Sequence, residues 1–162
     1  SYLYMRSIEK TEARKVVFCL NADTIASRIG KNVALATGAP ELTGYLGARF
    51  EELGLVSDVR PGVSPYSDQF PFNICGVPSV WLTRLNTFDA SHWTLHSRHD
   101  SLENVSAKLL ADTASVYATI LAELASMKTL PFPRSIPAGQ RRAIRESAAT
   151  SYRHPWTPDL NI

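Results

Sequence analysis

The sequence predicts an α/β fold in which a mixed sheet is flanked by helices. Short apolar runs without a helical period alternate with longer segments whose apolar residues recur at helical spacing. The predicted strands are residues 15–21, 32–37, 55–59 and 77–83, and the predicted helices are residues 40–53 and 107–125. A chain of 162 residues with 44% hydrophobic content can bury a core without disulfides or metals, so one compact domain is expected.

Each predicted element rests on a local pattern. Residues 15–21 (KVVFCLN) and 32–37 (NVALAT) are apolar runs without helical period, which is typical of buried strands. Pro40 is placed to open the first long helix, and Gly54 to end it. Pro78 indicates an early or edge position for the fourth strand, because proline cannot donate to a sheet ladder.

The second long helix is preceded by a candidate cap. Asp100, with Glu103 three residues later, resembles a capping box, and apolar residues then recur at helical spacing through residues 107–125. We therefore expect Asp100 to cap this helix, which would start near Ser101 and pack on one face of the sheet.

The composition changes near residue 128 and predicts two units, residues 1–128 and residues 129–162. The second unit contains five prolines and five arginines against two acidic residues, whereas the first has 12 basic and 13 acidic residues. We predict an extended tail that stays outside the sheet, with a short helix near residues 140–149. Its arginines are expected to contact an acidic surface of the same or a neighbouring subunit.

Charge and motifs exclude several classes of function. The 17 basic and 15 acidic residues nearly balance, so the chain lacks the electrostatic footprint of a nucleic-acid binder. No apolar run approaches the roughly 20 residues that cross a membrane, and no signal peptide is visible, so a soluble chain is expected, with a cytoplasmic location favoured. The GxSxG elbow of serine hydrolases and phosphate-binding glycine loops are missing. Cys19 and Cys75 lie in apolar runs and are expected to behave as small hydrophobes.

Two groups of side chains could bind a metal. His92, His96 and His99 lie close together before the long helix, and imidazole is the commonest zinc ligand. Their spacing alone does not distinguish a metal site from ordinary loop residues, and it is not the HExxH pattern of zincins. Asp23 follows a predicted strand, where α/β sheets place their ligands, although a turn or N-cap role explains an aspartate there equally well.

Three motifs occur in order along the chain. They are an N-x-D strand end at residues 21–23, a Ser-Asp pair followed by Phe and a Gly-x-Pro strand within residues 67–78, and a His-Ser-x-x-Asp-Ser-x-x-Asn element at residues 96–104. Together they resemble the C-terminal half of M28 zinc aminopeptidases. The resemblance covers about residues 1–127. It implies a partial zinc-exopeptidase fold whose upstream strands are missing from this chain.

The resemblance also implies roles for particular residues. Asp23 would bind one zinc ion and His96 the other, while the remaining two histidines of the cluster would be ordinary loop residues. Tyr66 and Leu95 would face the terminal side chain of a peptide substrate. Gln69 departs from the histidine that the family often has after its Ser-Asp pair.

The family further needs an upstream His-x-Asp, whose Asp bridges the metals, and a Glu-Glu pair that supplies the general base and a ligand. This sequence has neither, and Ser1-Tyr2 resembles the point just after the Glu-Glu pair. We therefore expect the C-terminal part of a two-zinc aminopeptidase, with zinc weak or absent and no activity in this chain alone. The upstream half or a second chain would complete the site, and an exposed sheet edge predicts association, such as a homo-oligomer.

Two alternatives stay open. The first is a non-catalytic M28-like module with a structural or interaction role. The second is a glutaminyl-cyclase-like enzyme with a single zinc ion. The sequence upstream of Ser1 would separate enzyme from module, because a His-x-Asp and a Glu-Glu there indicate the enzyme.

Overall fold

The computed structural model describes residues 1–7, 15–85 and 96–151. Its elements in chain order are α1 Tyr2–Ser7, β1 Cys19–Ala22, β2 Lys31–Thr37, α2 Pro40–Glu52, β3 Ser57–Pro61, α3 Phe70–Ile74, β4 Ser79–Leu85, a 3-10 turn at Leu102–Asn104, α4 Ala107–Ser126 and α5 Ala138–Ser151. Every predicted strand and helix is present, with boundaries moved by a few residues. The predicted α/β class is confirmed.

The four described strands form one mixed sheet in the order β1-β4-β2-β3. β1 runs parallel to β4, and β2 runs parallel to β3, whereas β4 and β2 are antiparallel. The C-terminal ends of β1 and β4 therefore lie at the end of the sheet where β2 and β3 begin. Loops from several strands meet at this end, which we call the β1–β4 end.

β4 lies inside the sheet, between β1 and β2, so the edge position suggested by Pro78 is wrong. The alternative early position is correct, because Pro78 stands just before Ser79, the first residue of the strand. Its missing N–H costs no ladder bond there, while its carbonyl accepts a hydrogen bond from the backbone N–H of Cys19 at 3.0 Å.

Helices cover both faces of the sheet. On one face Ala34 and Leu82 belong to a core to which α2 and α4 contribute Leu42, Leu46, Phe50, Val116, Tyr117, Ile120 and Leu124. On the other face α3 lies over β4, since the amide of Asn73 donates to the buried hydroxyl of Ser79 at 2.7 Å. Burial of these apolar side chains is the main contribution to the stability of the layers.

Helix α4 starts at Ala107, and its N-cap is Ser106, whose hydroxyl oxygen accepts a hydrogen bond from a backbone N–H of the first turn at 3.3 Å. The prediction that Asp100 caps this helix is therefore wrong. The 3-10 turn at Leu102–Asn104 separates Asp100 from the helix, and the Asp100 carboxylate instead accepts a hydrogen bond from the backbone N–H of His96 at 3.2 Å.

Among the described residues, α4 is the one helix long and apolar enough to cross a membrane, with 20 residues and a mean hydropathy of 1.2. Its buried side chains lie on one stripe, from Val116 through Ile120 to Leu124, and this stripe packs against the sheet. A single apolar stripe of this kind is typical of a helix that packs on a protein core.

The described part of the tail, residues 129–151, packs on the sheet domain without joining the sheet. Phe132 lies in the main core, with its ring centroid 5.3 Å from that of Phe18. Helix α5 confirms the predicted short helix, and Gln140 of this helix accepts a hydrogen bond from the backbone N–H of Gly38 at 2.9 Å. The predicted domain boundary stays a prediction.

Cys19 and Cys75 are free thiols in a small apolar cluster that includes Met5 of α1. Burial raises the pKa of Cys19 to about 12, with a smaller contribution from the charge of Asp68, and burial raises the pKa of Cys75 to about 11. Both side chains are therefore neutral thiols near pH 7, and they behave as the small hydrophobes that the sequence predicts.

Candidate functional site

Asp23 lies directly after β1 at the β1–β4 end of the sheet. Its backbone N–H donates to the carbonyl of Leu82 at 3.1 Å, which continues the β1–β4 ladder by one residue. Its exposed carboxylate accepts two hydrogen bonds, from the hydroxyl of Ser67 to Oδ2 at 2.6 Å and from that of Thr24 to Oδ1 at 3.3 Å. A carboxylate has about four acceptor positions, so lone pairs remain for a further ligand.

Ser67 connects Asp23 to a polar network. Its oxygen accepts a hydrogen bond from the Asn21 amide at 2.7 Å, and the same amide donates to Gln69 Oε1 at 3.1 Å. Gln69 is buried, and its Nε2 donates to the carbonyl of Ser64 at 2.9 Å. The sequence predicts no role for Asn21 beyond its place in the N-x-D motif. Its spacing from Asp23 does point to it, because residues two apart along a strand share a face of the sheet.

Tyr117 of α4 supports the same strand end from the opposite face of the sheet. Its hydroxyl donates to the carbonyl of Asn21 at 3.3 Å. Burial raises the pKa of Tyr117, so the phenol stays protonated and remains a donor. The long packing helix is thus linked to the strand that presents Asp23.

His96 begins the described segment that leads into α4. Further along this segment, the backbone N–H of Ser106 donates to the carbonyl of Ala26 at 2.8 Å, and the adjoining residues form an antiparallel bridge. The chain that follows His96 is therefore fixed to the loop that follows Asp23. The assignment of Asp23 and His96 as zinc ligands stays a prediction.

Positive backbone φ angles occur at one predicted ligand position, His96, and at the residue after the other, Asp23. Among the described residues, two that are not glycine have a positive φ: Thr24, next to Asp23, at 59°, and His96 itself, at 58°. Such backbone strain costs about 1–3 kcal/mol per residue and concentrates at functional sites. A β-branched residue such as Thr24 adopts this conformation rarely.

The structure describes two of the other residues singled out by the sequence, Tyr66 and His99. Tyr66 is 84% exposed, and its contact with substrate stays a prediction. Leu95 and His92 lie outside the described residues. His99 is exposed, and its imidazole Nε2 accepts a hydrogen bond from the guanidinium of Arg98 at 3.2 Å.

The Asp23 carboxylate could contribute a ligand to a metal ion. A carboxylate oxygen is one of the atoms that zinc binds, and the Ser67 hydroxyl donates a hydrogen bond that orients the Asp23 carboxylate, as such partners orient metal ligands. No group of three His, Cys, Asp or Glu side chains able to hold a metal occurs within residues 1–7, 15–85 and 96–151. Further ligands for an ion at Asp23 would have to come from other residues.

A cavity of about 570 Å³ lies between α2, α4 and the start of β2, and its lining includes Asn32, Leu55, Asp112 and Val116 but neither Asp23 nor His96. Arg84 also lines it. The Arg84 guanidinium donates to the carbonyl of Ser27 and to the side chain of Asn32, each at 2.8 Å, and burial lowers its pKa. This arginine holds the loop that follows Asp23.

A mixed sheet covered by helices, with an oriented carboxylate at a strand end, places the chain in a class of α/β domains with a polar site at one end of the sheet. The chain belongs to peptidase family M28, because the sequence model of this family matches residues 1–121. No curated protein matches the chain.

Two solved structures similar to the chain are of BSAP, a zinc aminopeptidase from Bacillus subtilis. One has a TM-score of 0.65 and 17% identity, and the match covers 85% of this chain and 34% of that one. The other has a TM-score of 0.63 and 18% identity, covering 83% and 35%. The chain thus spans about a third of these solved chains and shares the fold of that part, which confirms the predicted partial fold.

Proposed function

We propose that this chain is the C-terminal part of a zinc-dependent aminopeptidase, which hydrolyses the N-terminal bond of peptide substrates. The observation that carries the proposal is the Asp23 carboxylate at the end of β1, held by Ser67. Membership of the M28 family supports a metallopeptidase in general. The choice of an aminopeptidase rests on the solved structures that share the fold.

In the proposed site Asp23 binds one zinc ion and His96 binds another. Zinc in such a site would activate a water molecule and polarise the scissile carbonyl. The chain itself orients the ligands, because Ser67 holds the Asp23 carboxylate and the loop anchored at Ser106 carries His96. Tyr66 and Leu95 face the terminal side chain of the substrate.

The proposed site needs residues beyond those of this chain. Each ion would have one ligand from it, whereas catalytic zinc usually has three protein ligands. The general-base Glu and the bridging Asp would come from the upstream half or a second chain. Among the described strands β1 pairs with β4 alone, so its outer edge is available to another strand. We therefore expect weak zinc binding by the chain alone and association with that half or with a second copy, as a homo-oligomer.

Turnover of an aminoacyl chromogenic substrate by the full-length gene product tests the proposal. We expect hydrolysis that is lost on chelation and restored by zinc, because the ions would supply the activated water. The same substrate with a blocked amino group should not react, since an aminopeptidase holds the free amino terminus. The 162 residues alone should give no turnover.

Other outcomes of this assay would support the alternatives. Full activity from the 162 residues alone would contradict the incomplete site. Cyclisation of N-terminal glutamine, without hydrolysis of aminoacyl substrates, would indicate the single-zinc cyclase. Neither activity, together with no bound zinc in the full-length product, would indicate the non-catalytic module.

A further inference from the structure

We propose that Gln69 is a positioning residue for the Asp23 carboxylate. Its buried side-chain amide determines that the Ser67 hydroxyl donates its hydrogen to Asp23 rather than to another acceptor. The proposal rests on the zinc site proposed above. It adds a residue that would touch neither metal nor substrate.

The backbone carbonyl of Ser64 determines the orientation of the Gln69 amide. A carbonyl oxygen can only accept, so the Gln69 atom 2.9 Å from it must be the donor Nε2. Gln69 is 2% exposed and Ser64 is 7% exposed. A reversed amide would leave two acceptors facing each other away from water, which is unfavourable. The Gln69 Oε1 therefore points towards Asn21.

The orientation of Asn21 follows from that of Gln69. The Asn21 atom 3.1 Å from Gln69 Oε1 must be a donor, Nδ2, and this nitrogen also lies 2.7 Å from the Ser67 oxygen. Ser67 thus receives a hydrogen from Asn21. Because a hydroxyl has a single hydrogen, Ser67 gives its own to Asp23 Oδ2 at 2.6 Å, a short charge-assisted hydrogen bond.

Without an acceptor at Gln69, the Asn21 amide would be free to rotate by half a turn and present its oxygen to Ser67. The Asn21 oxygen would then compete with the Asp23 carboxylate for the single hydrogen of Ser67. Whenever Ser67 donated to Asn21, the carboxylate would lose the partner that holds its orientation. Partners of this kind strongly affect metal affinity.

Gln69→Met in the full-length gene product tests the proposal, because methionine keeps the approximate length of the side chain and removes its donor and acceptor. Asn73→Leu is the matched control. Asn73 is also 2% exposed, and its amide donates to the carbonyl of Val77 at 3.0 Å, so each variant leaves one buried carbonyl without that donor. The hydrogen bonds of Asn73 do not lead to Asp23.

Zinc affinity is measured by competition with a chelator. We expect Gln69→Met to weaken zinc binding about 10- to 100-fold, the usual effect of losing a residue that orients a metal ligand, and Asn73→Leu to leave it unchanged. Ser67→Ala should weaken it similarly. The double variant with Gln69→Met and Ser67→Ala should bind zinc with the same affinity as Ser67→Ala alone, because Gln69 acts through Ser67. Additive losses would overturn the proposal.

Hydrogen exchange, which needs no bound metal, tests the hydrogen bonds that join Gln69, Asn21 and Ser67. In NMR spectra, the side-chain amide hydrogens of Asn21 should exchange slowly in the wild type and in Asn73→Leu, and about tenfold faster or more in Gln69→Met.

Zinc affinity that does not change on Asp23→Ala would refute the proposed zinc site itself. Weaker zinc binding by Asp23→Ala, with Gln69→Met behaving as Asn73→Leu does, would refute the positioning role alone.

Discussion

Alanine at Asp23 or at His96 of the full-length protein is expected to lower zinc content and turnover together, with kcat/KM falling at least about a hundredfold. Loss of a partner that merely orients a ligand typically lowers metal affinity or activity about 10- to 100-fold. Loss of the ligand itself should have a larger effect, because it removes a bond to the ion. Elemental analysis and turnover of an aminoacyl chromogenic substrate, measured on the same samples, check this prediction.

Matched substitutions separate this effect from a general effect of removing charge. Asp58 is a carboxylate on β3 that pairs with Lys31 at 3.4 Å, and His99 belongs to the same loop as His96. Asp58→Ala, His92→Ala and His99→Ala should each retain zinc and most of the turnover. Indifference of the full-length protein to His96→Ala would contradict the assignment of this ligand.

Phe132→Ala in the 162-residue chain is expected to lower the free energy of unfolding by about 3–5 kcal/mol, the usual cost of removing a buried phenylalanine ring. Phe132 is 4% exposed, and its ring centroid lies 5.3 Å from that of Phe18 and 5.8 Å from that of Tyr45. Denaturant unfolding monitored by circular dichroism measures the change.

Leu121→Ala provides the control for this experiment. Leu121 lies on α4 but is 47% exposed, so its truncation should cost about 1 kcal/mol or less. An equally small effect at Phe132 would show that the tail does not contribute to the core. The large effect expected here would mean that the chain beyond residue 128 stabilises the domain despite its different composition.

The elements that the sequence predicts best are those with strong local signals. The helix predicted at residues 40–53 lies between Pro40 and Gly54, and the structure gives Pro40–Glu52. The sheet order is not a local property. Nothing near Pro78 indicates that β4 pairs with strands on both sides, because its partners lie tens of residues away.

Tertiary contacts determine which of two residues is the N-cap of α4. Asp100 and Ser106 are both able to cap a helix, and the capping-box pattern favours the first. In the structure the backbone N–H of Ser106 donates to the carbonyl of Ala26, and Val105 and Ser106 are extended, so the helix begins only at Ala107. This contact joins residues 80 positions apart, so a local pattern cannot reveal it.

The candidate site is likewise only partly visible in the sequence. A strand-end position and an N-x-D motif point to Asp23. The hydrogen bonds from Asn21 to Ser67 and Gln69 span 46 and 48 residues, and they form because β1 and the loop before α3 meet at one end of the sheet. The packing of Phe132 is a similar case, since an isolated aromatic residue in a proline-rich segment has no period to indicate its partner.

Anomalous diffraction at the zinc edge, on crystals of the full-length protein, tests directly whether Asp23 and His96 bind zinc. We expect a zinc peak about 2.0–2.2 Å from a carboxylate oxygen of Asp23, the usual zinc–oxygen distance. A second peak about 3.5–4 Å from the first should lie beside the imidazole of His96. Zinc bound elsewhere, with the Asp23 carboxylate contacting only Ser67 and Thr24, would contradict the proposed zinc site.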